Sequence, residues 1–195
     1  MKLNLDIDRK SSATITRSFD RIAKDLIENW QLNLQGTLYS FTEIEFYYFD
    51  RASHPDKYSH KHSYMVGKWR FHLQGLDISL GYEKEDSTEE FCSYGGVLLR
   101  GLKSETDCIN GPKRILAHIF KALDAVEEIQ KEFGLVKRQN PKVQIYKSVR
   151  KGLSERYPDY NTQKYRYFHS IELWNVNHVP PSEKKGIIQN SVKLK

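Results

Sequence analysis

Residues 37–49 read TLYSFTEIEFYYF, and this run decides the fold class. It is dense in β-branched and aromatic residues with partial alternation, the composition of a half-buried strand. Because side chains alternate along a strand, Phe41, Glu43, Glu45 and Tyr47 are expected on one face and Thr42, Ile44, Phe46 and Tyr48 on the other. Leu32 and Leu34 lead into Gln35-Gly36, a turn pair, which makes the run the second strand of a hairpin. Upstream, Phe19, Ile22, Ala23, Leu26, Ile27 and Trp30 recur at helical spacing and predict a helix over 18–30.

Downstream, residues 50–66 (DRASHPDKYSHKHSYMV) carry turn-forming and polar side chains and read as a loop. Strands are expected over 68–73, 77–82 and 96–102, with the acidic EKEDSTEE as a surface turn. Asn110-Gly111 caps a second helix that Pro112 opens, and Ile115, Leu116, Ile119, Phe120, Leu123, Val126 and Ile129 keep its period until it ends near Phe133-Gly134. A shorter basic helix over 143–153, a loop containing Pro158 and a strand over 165–174 complete an α+β plan without repeats. Residues 1–195 are therefore expected to form a single domain, a mixed or antiparallel curved sheet packed by a few helices, with 1–17 and 180–195 as poorly ordered tails.

The composition excludes several classes. With 195 residues, 38% hydrophobic and 29% charged, and only 11 Gly and 6 Pro, the chain is neither collagen-like nor low-complexity and can build a core. No apolar run approaches the roughly 20 residues of a membrane span. The opening MKLNLDIDRKSSATITRSFD interrupts each apolar stretch with charge, so no signal-peptide core is read and a cytoplasmic protein is expected. Cys92 and Cys108 make no disulfide framework and no C-x-x-C. The net charge of +6 is uneven. Residues 137–166 carry nine cations, among them Arg150, Lys151, Lys164 and Arg166, against Glu155 and Asp159 alone. Tyr146, Tyr157, Tyr160, Tyr165, Tyr167 and Phe168 are interleaved or adjacent, which suits a groove that meets a polyanion and offers rings for stacking. A solvated helix face followed by a core strand would have the same composition.

Three sets of residues could carry chemistry. Glu45 lies mid-strand among aromatics, and a carboxylate partly withdrawn from water moves toward the range of a general base. Gly111-Pro112 at a helix start, followed by Lys113 and Arg114, would suit a phosphate. His54, His60, His62 and His72 fall within 19 residues with Asp77 nearby, a constellation that could hold zinc or another divalent ion for phosphodiester hydrolysis. The spacing of those histidines matches no closed zinc motif.

The chain also resembles a known family. IAKDLI is similar to the ARDLLG segment of the alkyladenine (methylpurine) DNA glycosylases, FTEIEFYY to their ETEAY strand, and DRASH to the stretch that ends in their AAH or ASH. GGVLLRGL resembles their AVLLRALEP, INGPKRILAHI their GPxKLxxAL helix start, and KYRYF, more loosely, a C-terminal PWRFY. The shared order covers residues 21–119, with an echo near 165. The resemblance implies the methylpurine-glycosylase (formyltransferase C-terminal-like) fold and a monofunctional hydrolase of base-excision repair. Such an enzyme excises alkylated or deaminated purines from duplex or single-stranded DNA, as a nucleoid-associated monomer without metal or other cofactor. By this carry-over Glu45 would activate water against the sugar C1′ and Arg100 would sit near that water or a backbone phosphate. Tyr47, His54 and Phe71 would line the base pocket.

There are departures. Where the family inserts a Tyr into the duplex, WRFHLQGLDISLGY places Gln74; where it has a pocket Asn, Gly81 stands; and the interval from Tyr47 to His54 is two residues shorter. Two alternatives accordingly stay open beside the glycosylase: a non-catalytic or differently acting nucleic-acid-binding relative, and the histidine-based phosphodiesterase.

Overall fold

The structure, a computed structural model, describes residues 2–123, 132–173 and 180–194. In chain order it comprises α1 (Ser12–Asn29), β1 (Trp30–Leu34), β2 (Thr37–Asp50), β3 (His54–Pro55), β4 (Trp69–His72), β5 (Gly75–Lys84), β6 (Phe91–Lys103), β7 (Cys108–Asn110) and α2 (Pro112–Ala122). Then follow β8 (Phe133–Lys137), β9 (Tyr146–Ser148), α3 (Pro158–Asn161), β10 (Arg166–Phe168), a 3-10 turn at Ile171–Leu173, α4 (Pro181–Gln189) and β11 (Val192–Lys193). Every strand pairing is antiparallel, and the whole is an α+β arrangement of one open sheet with four α-helices among the described residues.

β2 organises the sheet. One edge pairs along most of its length with β6, while the other is served in succession by β1, β10 and β3. The hairpin that begins it turns at Gln35 and Gly36, both at positive φ (52° and 79°), the geometry whose twist matches the flanking strands. α1 opens with a reciprocal cap between Ser11 and Thr14 and buries Ile15, Phe19, Ile22, Ala23, Leu26 and Ile27. Phe19 stacks on Phe46 of β2 at 4.6 Å, so one face of the sheet is the core beneath α1. The opposite face carries Glu43, Glu45 and Tyr47.

The expected partition of β2 side chains needs one correction. Phe41 lies in the α1 core, not beside Glu43, because the register with β6 slips on both sides of Glu43. That bulge at Thr42 and Glu43 inserts one residue and inverts the alternation before it. It closes against Gly101, where a Cβ would stand 2.9 Å from Glu43 Cβ.

Other expectations change in the C-terminal third. The basic helix over 143–153 is instead β9, because pairing with β10 and β11 satisfies backbone groups that a short surface helix would leave to water. The strand over 165–174 shortens to β10 and then turns at Ile171–Leu173; Trp174 lies outside the described residues. The second helix is described to Ala122, its continuation through Val126 and Ile129 lies outside the described residues, and Phe133-Gly134 belongs to β8. The terminal segments are built into the fold: Leu5 is buried, α1 starts at Ser12, α4 runs over Pro181–Gln189, and β11 pairs with β9. Among the described residues no helix is long and apolar enough to cross a membrane.

Candidate functional site

Cross-strand partners share a face, and the ladder register lines up Arg166 opposite Glu45, Glu45 opposite Leu98, Leu98 opposite Asp77, and Asp77 opposite Arg70. A row with two acids flanking Leu98 and an arginine at each end therefore crosses β10, β2, β6, β5 and β4 on the face away from α1. One position along, Arg100 projects between Glu43 and Glu45: its Nε donates to Glu43 Oε1 at 2.8 Å and lies 3.3 Å from Glu45 Oε1, while Nη1 donates to Glu45 Oε2 at 3.4 Å. Arg166 Nε donates to the same Glu43 Oε1 at 2.6 Å. Two carboxylates and two guanidiniums thus form a buried, charge-balanced cluster. Burial alone would raise the Glu43 pKa, but Arg166 and Arg100 outweigh it and hold the carboxyl below its ordinary value. Burial likewise opposes the charge of Arg100, and Glu45 and Glu43 reverse that and hold it above the ordinary guanidinium value.

Above this cluster opens a cleft of about 530 Å³. Tyr47, Leu98 and Arg100 form its floor, and Arg70, His72, Gln74 and Asp77 of the β4–β5 hairpin form one wall. The facing walls come from Lys57, Tyr58 and His60 of the loop after β3, and from residues 151–154, Arg156 and Tyr157 after β9. Tyr58 and Tyr157 meet edge to face at 5.1 Å, with Lys57 and Arg156 over the Tyr157 ring. The basic C-terminal segment and the N-terminal sheet therefore meet in one cavity.

Glu45 lies beneath the floor and is fully buried. Tyr47 Oη donates to its Oε2 at 2.8 Å, and the Lys151 backbone N–H donates to Oε1 at 2.8 Å. Burial, reinforced by the Glu45 charge, pushes the Tyr47 hydroxyl pKa well above its ordinary value, so it remains a donor. Of the residues expected from sequence, Glu45, Tyr47, Arg100, Gln74 and Lys151 come together here.

Others do not. His54 sits on the core side, fully buried, with Nδ1 3.0 Å from Ser12 Oγ and its ring against Phe19, Tyr160 and Tyr165. Burial first, then the Arg150 charge, pushes its pKa down from 6.5 to about 4, so it is a neutral core histidine. Phe71 points away from the cleft and stacks on Phe120 at 5.7 Å, because alternation along β4 turns Arg70 and His72 inward instead. Arg150 is no surface cation: its side chain is fully buried, bonding Asp56 at 2.6 Å, the Phe46 and Tyr160 carbonyls, and stacking on Tyr47 at 4.6 Å. Arg166 is committed to Glu43, and Lys164 is half-buried outside the cleft. Lys113 and Arg114 are exposed on the first turn of α2, beside Pro112, which reaches the cleft edge. Gly81, at φ 88° in a register slip of β5, packs against Val66 and faces a separate cavity under the N-terminal segment.

The histidine constellation disperses. His62 Nε2 faces the Gly95 carbonyl at 3.0 Å, His54 is in the core, and only His60 and His72 reach the cleft. His72 Nε2 lies 3.1 Å from Asp77 Oδ1, and Arg70 Nη1 donates to Asp77 Oδ2 at 2.6 Å. Among the described residues no three His, Cys, Asp or Glu side chains are grouped to hold a metal.

Glu43, in the buried cluster, and Leu73, at the β4–β5 tip, were not among the residues expected from the sequence. Glu43 stood two residues before Glu45 on the same face, which was signal enough. Leu73 is 89% exposed between His72 and Gln74, at a hairpin tip that ends in Gly75. A Cβ on Gly75 would lie 2.8 Å from Pro112 Cβ and 2.9 Å from Leu98 Cδ1, so the base of that tip sits tightly on the cleft rim. Fold and site together define an α+β protein with a cationic, aromatic-walled cleft over a buried acid–base cluster. No family model, curated protein or solved structure compared with the chain matches it.

Proposed function

We propose that the protein is a DNA base-excision glycosylase that hydrolyses the N-glycosidic bond of an alkylated or deaminated purine, with Glu45 activating the water. The observation that carries this reading is the contact of Glu45 with Tyr47 and Arg100 at the floor of a cleft whose walls are cationic and aromatic. The order of the motifs in the sequence supports it further. An extruded nucleotide would place its base against the Tyr47 ring and the Tyr58–Tyr157 wall, and its phosphates near Lys57, Lys151 and Arg156. Tyr58 and Tyr157 take the part that the resemblance implies for His54 and Phe71. As Tyr47 turns its hydroxyl to the substrate, Glu45 Oε2 becomes available to take the proton of a water directed at C1′. The water oxygen bonds C1′ as the C1′–N bond breaks and its electron pair leaves with the purine, so an alkylated, cationic purine departs neutral and a deaminated one departs as an anion that takes a proton from solvent, while Arg100 keeps its own proton throughout. Leu73, in place of Gln74, fills the gap left in the duplex, since apolar wedges stack where an amide does not.

Excision is tested by incubating methylated and deaminated DNA with the protein in a chelator and identifying free purines by mass spectrometry. Release of 3-methyladenine, 7-methylguanine or hypoxanthine supports the reading; release of none of them sinks it. One observation favours a second reading: both Glu45 oxygens are engaged by three donors beneath the surface of the cleft. In that reading the cleft binds nucleic acid without chemistry, and affinity falls steeply with salt while no base is released.

A further inference from the structure

The buried cluster holds a carboxylate that the proposed reaction does not use. Glu43 receives Arg100 Nε at 2.8 Å and Arg166 Nε at 2.6 Å, whereas Arg100 stands farther from Glu45, at 3.3 Å and 3.4 Å. The bulge at Thr42 and Glu43 and the absence of a side chain on Gly101 set Glu43 on the same face as Glu45 and close to Arg100. The groups around Glu45 are Tyr47 and Glu43 from β2, Arg100 from β6, Arg166 from β10 and the Lys151 N–H after β9. Arg150 stacks beneath Tyr47, and Asp77 lies two strands away across Leu98.

Resting on the glycosylase reading, we infer that Glu43 and Arg166 are positioning residues that set the basicity of Glu45. Glu43 draws the guanidinium of Arg100 toward itself, and Arg166 balances the second negative charge. Glu45 therefore faces a cation that is shared and not its own. With Glu43 neutral, two guanidiniums would face a single carboxylate, and a base so surrounded takes a proton from water less readily. Removing Arg166 as well would restore the balance. A role confined to holding the strands together predicts the reverse, because the second substitution would then add damage.

The test is the pH profile of single-turnover excision by native protein, Glu43→Gln, Arg166→Gln and the double variant, each checked for cooperative melting. For Glu43→Gln the plateau should fall about tenfold and the acid limb move about one pH unit lower, the scale of one altered charge contact. The double variant should recover most of both. An unchanged profile in Glu43→Gln, or a double variant worse than either single one, overturns the inference while native excision leaves the glycosylase reading standing. Absence of excision by the native protein overturns both. If Glu43→Gln alone fails to fold, native-like folding and a near-native profile in the double variant carry the same support, and an inactive folded double variant overturns it.

Discussion

His54 shows how a residue of apparent chemical promise is taken up by the core. Its Nε2 is buried with no hydrogen-bond partner among the described residues, and Arg150 adds a repulsive charge that Asp50 only partly offsets. In the folded protein it titrates at about 4 and in the unfolded chain near 6.5. Its pKa is depressed by folding, so its contribution to stability is complete above pH 6.5 and is lost as pH falls toward 4. At its steepest the loss for one such group is about 1.4 kcal/mol per pH unit. His62 and His169, also pushed down by burial, act in the same direction as pH falls below 6.5. Urea unfolding from pH 7 to pH 4 should therefore give a shallower decline for His54→Gln than for the native chain, and parallel slopes would contradict this assignment. Arg150 and Asp56, fully buried against each other, make the opposite point: removing either strands a charge, at a cost of about 3–5 kcal/mol.

At the scale of elements, the β4–β5 hairpin is the part of the cleft that can reach a duplex. Arg70, His72 and Gln74 face inward, and Leu73 stands outward at its tip. If Leu73 stacks in the gap left by an extruded base, Leu73→Gly should slow excision from duplex DNA about tenfold or more while leaving single-stranded DNA nearly unaffected, because only the duplex leaves a gap to fill. Equal losses on both substrates would assign Leu73 to the fold. The central hairpin, α1 and the antiparallel strands were legible because each carries a period that survives burial: the 3.6-residue face of α1, the alternation of β2 after its bulge. The bulge at Thr42 and Glu43 was not, since Gly101 closes it from a distant strand, and neither was β9, where pairing with β10 outweighed helical spacing. In the cleft, the shared face of Glu45 and Tyr47 was legible from the alternation of one strand, while Arg100 was expected there only through the resemblance. Phe71 and Arg150 went astray because the direction of a short edge strand and the depth of a basic segment depend on tertiary contacts.

Across the whole molecule, the positive charge of the C-terminal third is divided between the interior and the cleft. Part of it is spent internally, with Arg166 on Glu43, Arg150 on Asp56 and Lys147 on Asp20. Lys151, whose ammonium pairs with Glu183, and Arg156 remain at the cleft, joined by Lys57 from the other half of the chain. Binding to undamaged DNA should accordingly weaken with salt, and Lys151→Ala together with Arg156→Ala should lower the slope of log affinity against log salt by up to about 2, with Arg150→Lys leaving it unchanged. A slope insensitive to Lys151 and Arg156 would place the nucleic-acid surface elsewhere. Excision turns on Glu45, and the most direct measurement is alkali-labile strand breakage in an oligonucleotide carrying one alkylated or deaminated purine, under single-turnover conditions. Native protein should create an abasic site at the lesion, and Glu45→Gln should bind the same oligonucleotide yet reduce that rate at least a hundredfold, the scale of about 10² to 10⁴ for a lost general base. Breakage that persists undiminished in Glu45→Gln, or that native protein fails to produce at any lesion, would contradict the account.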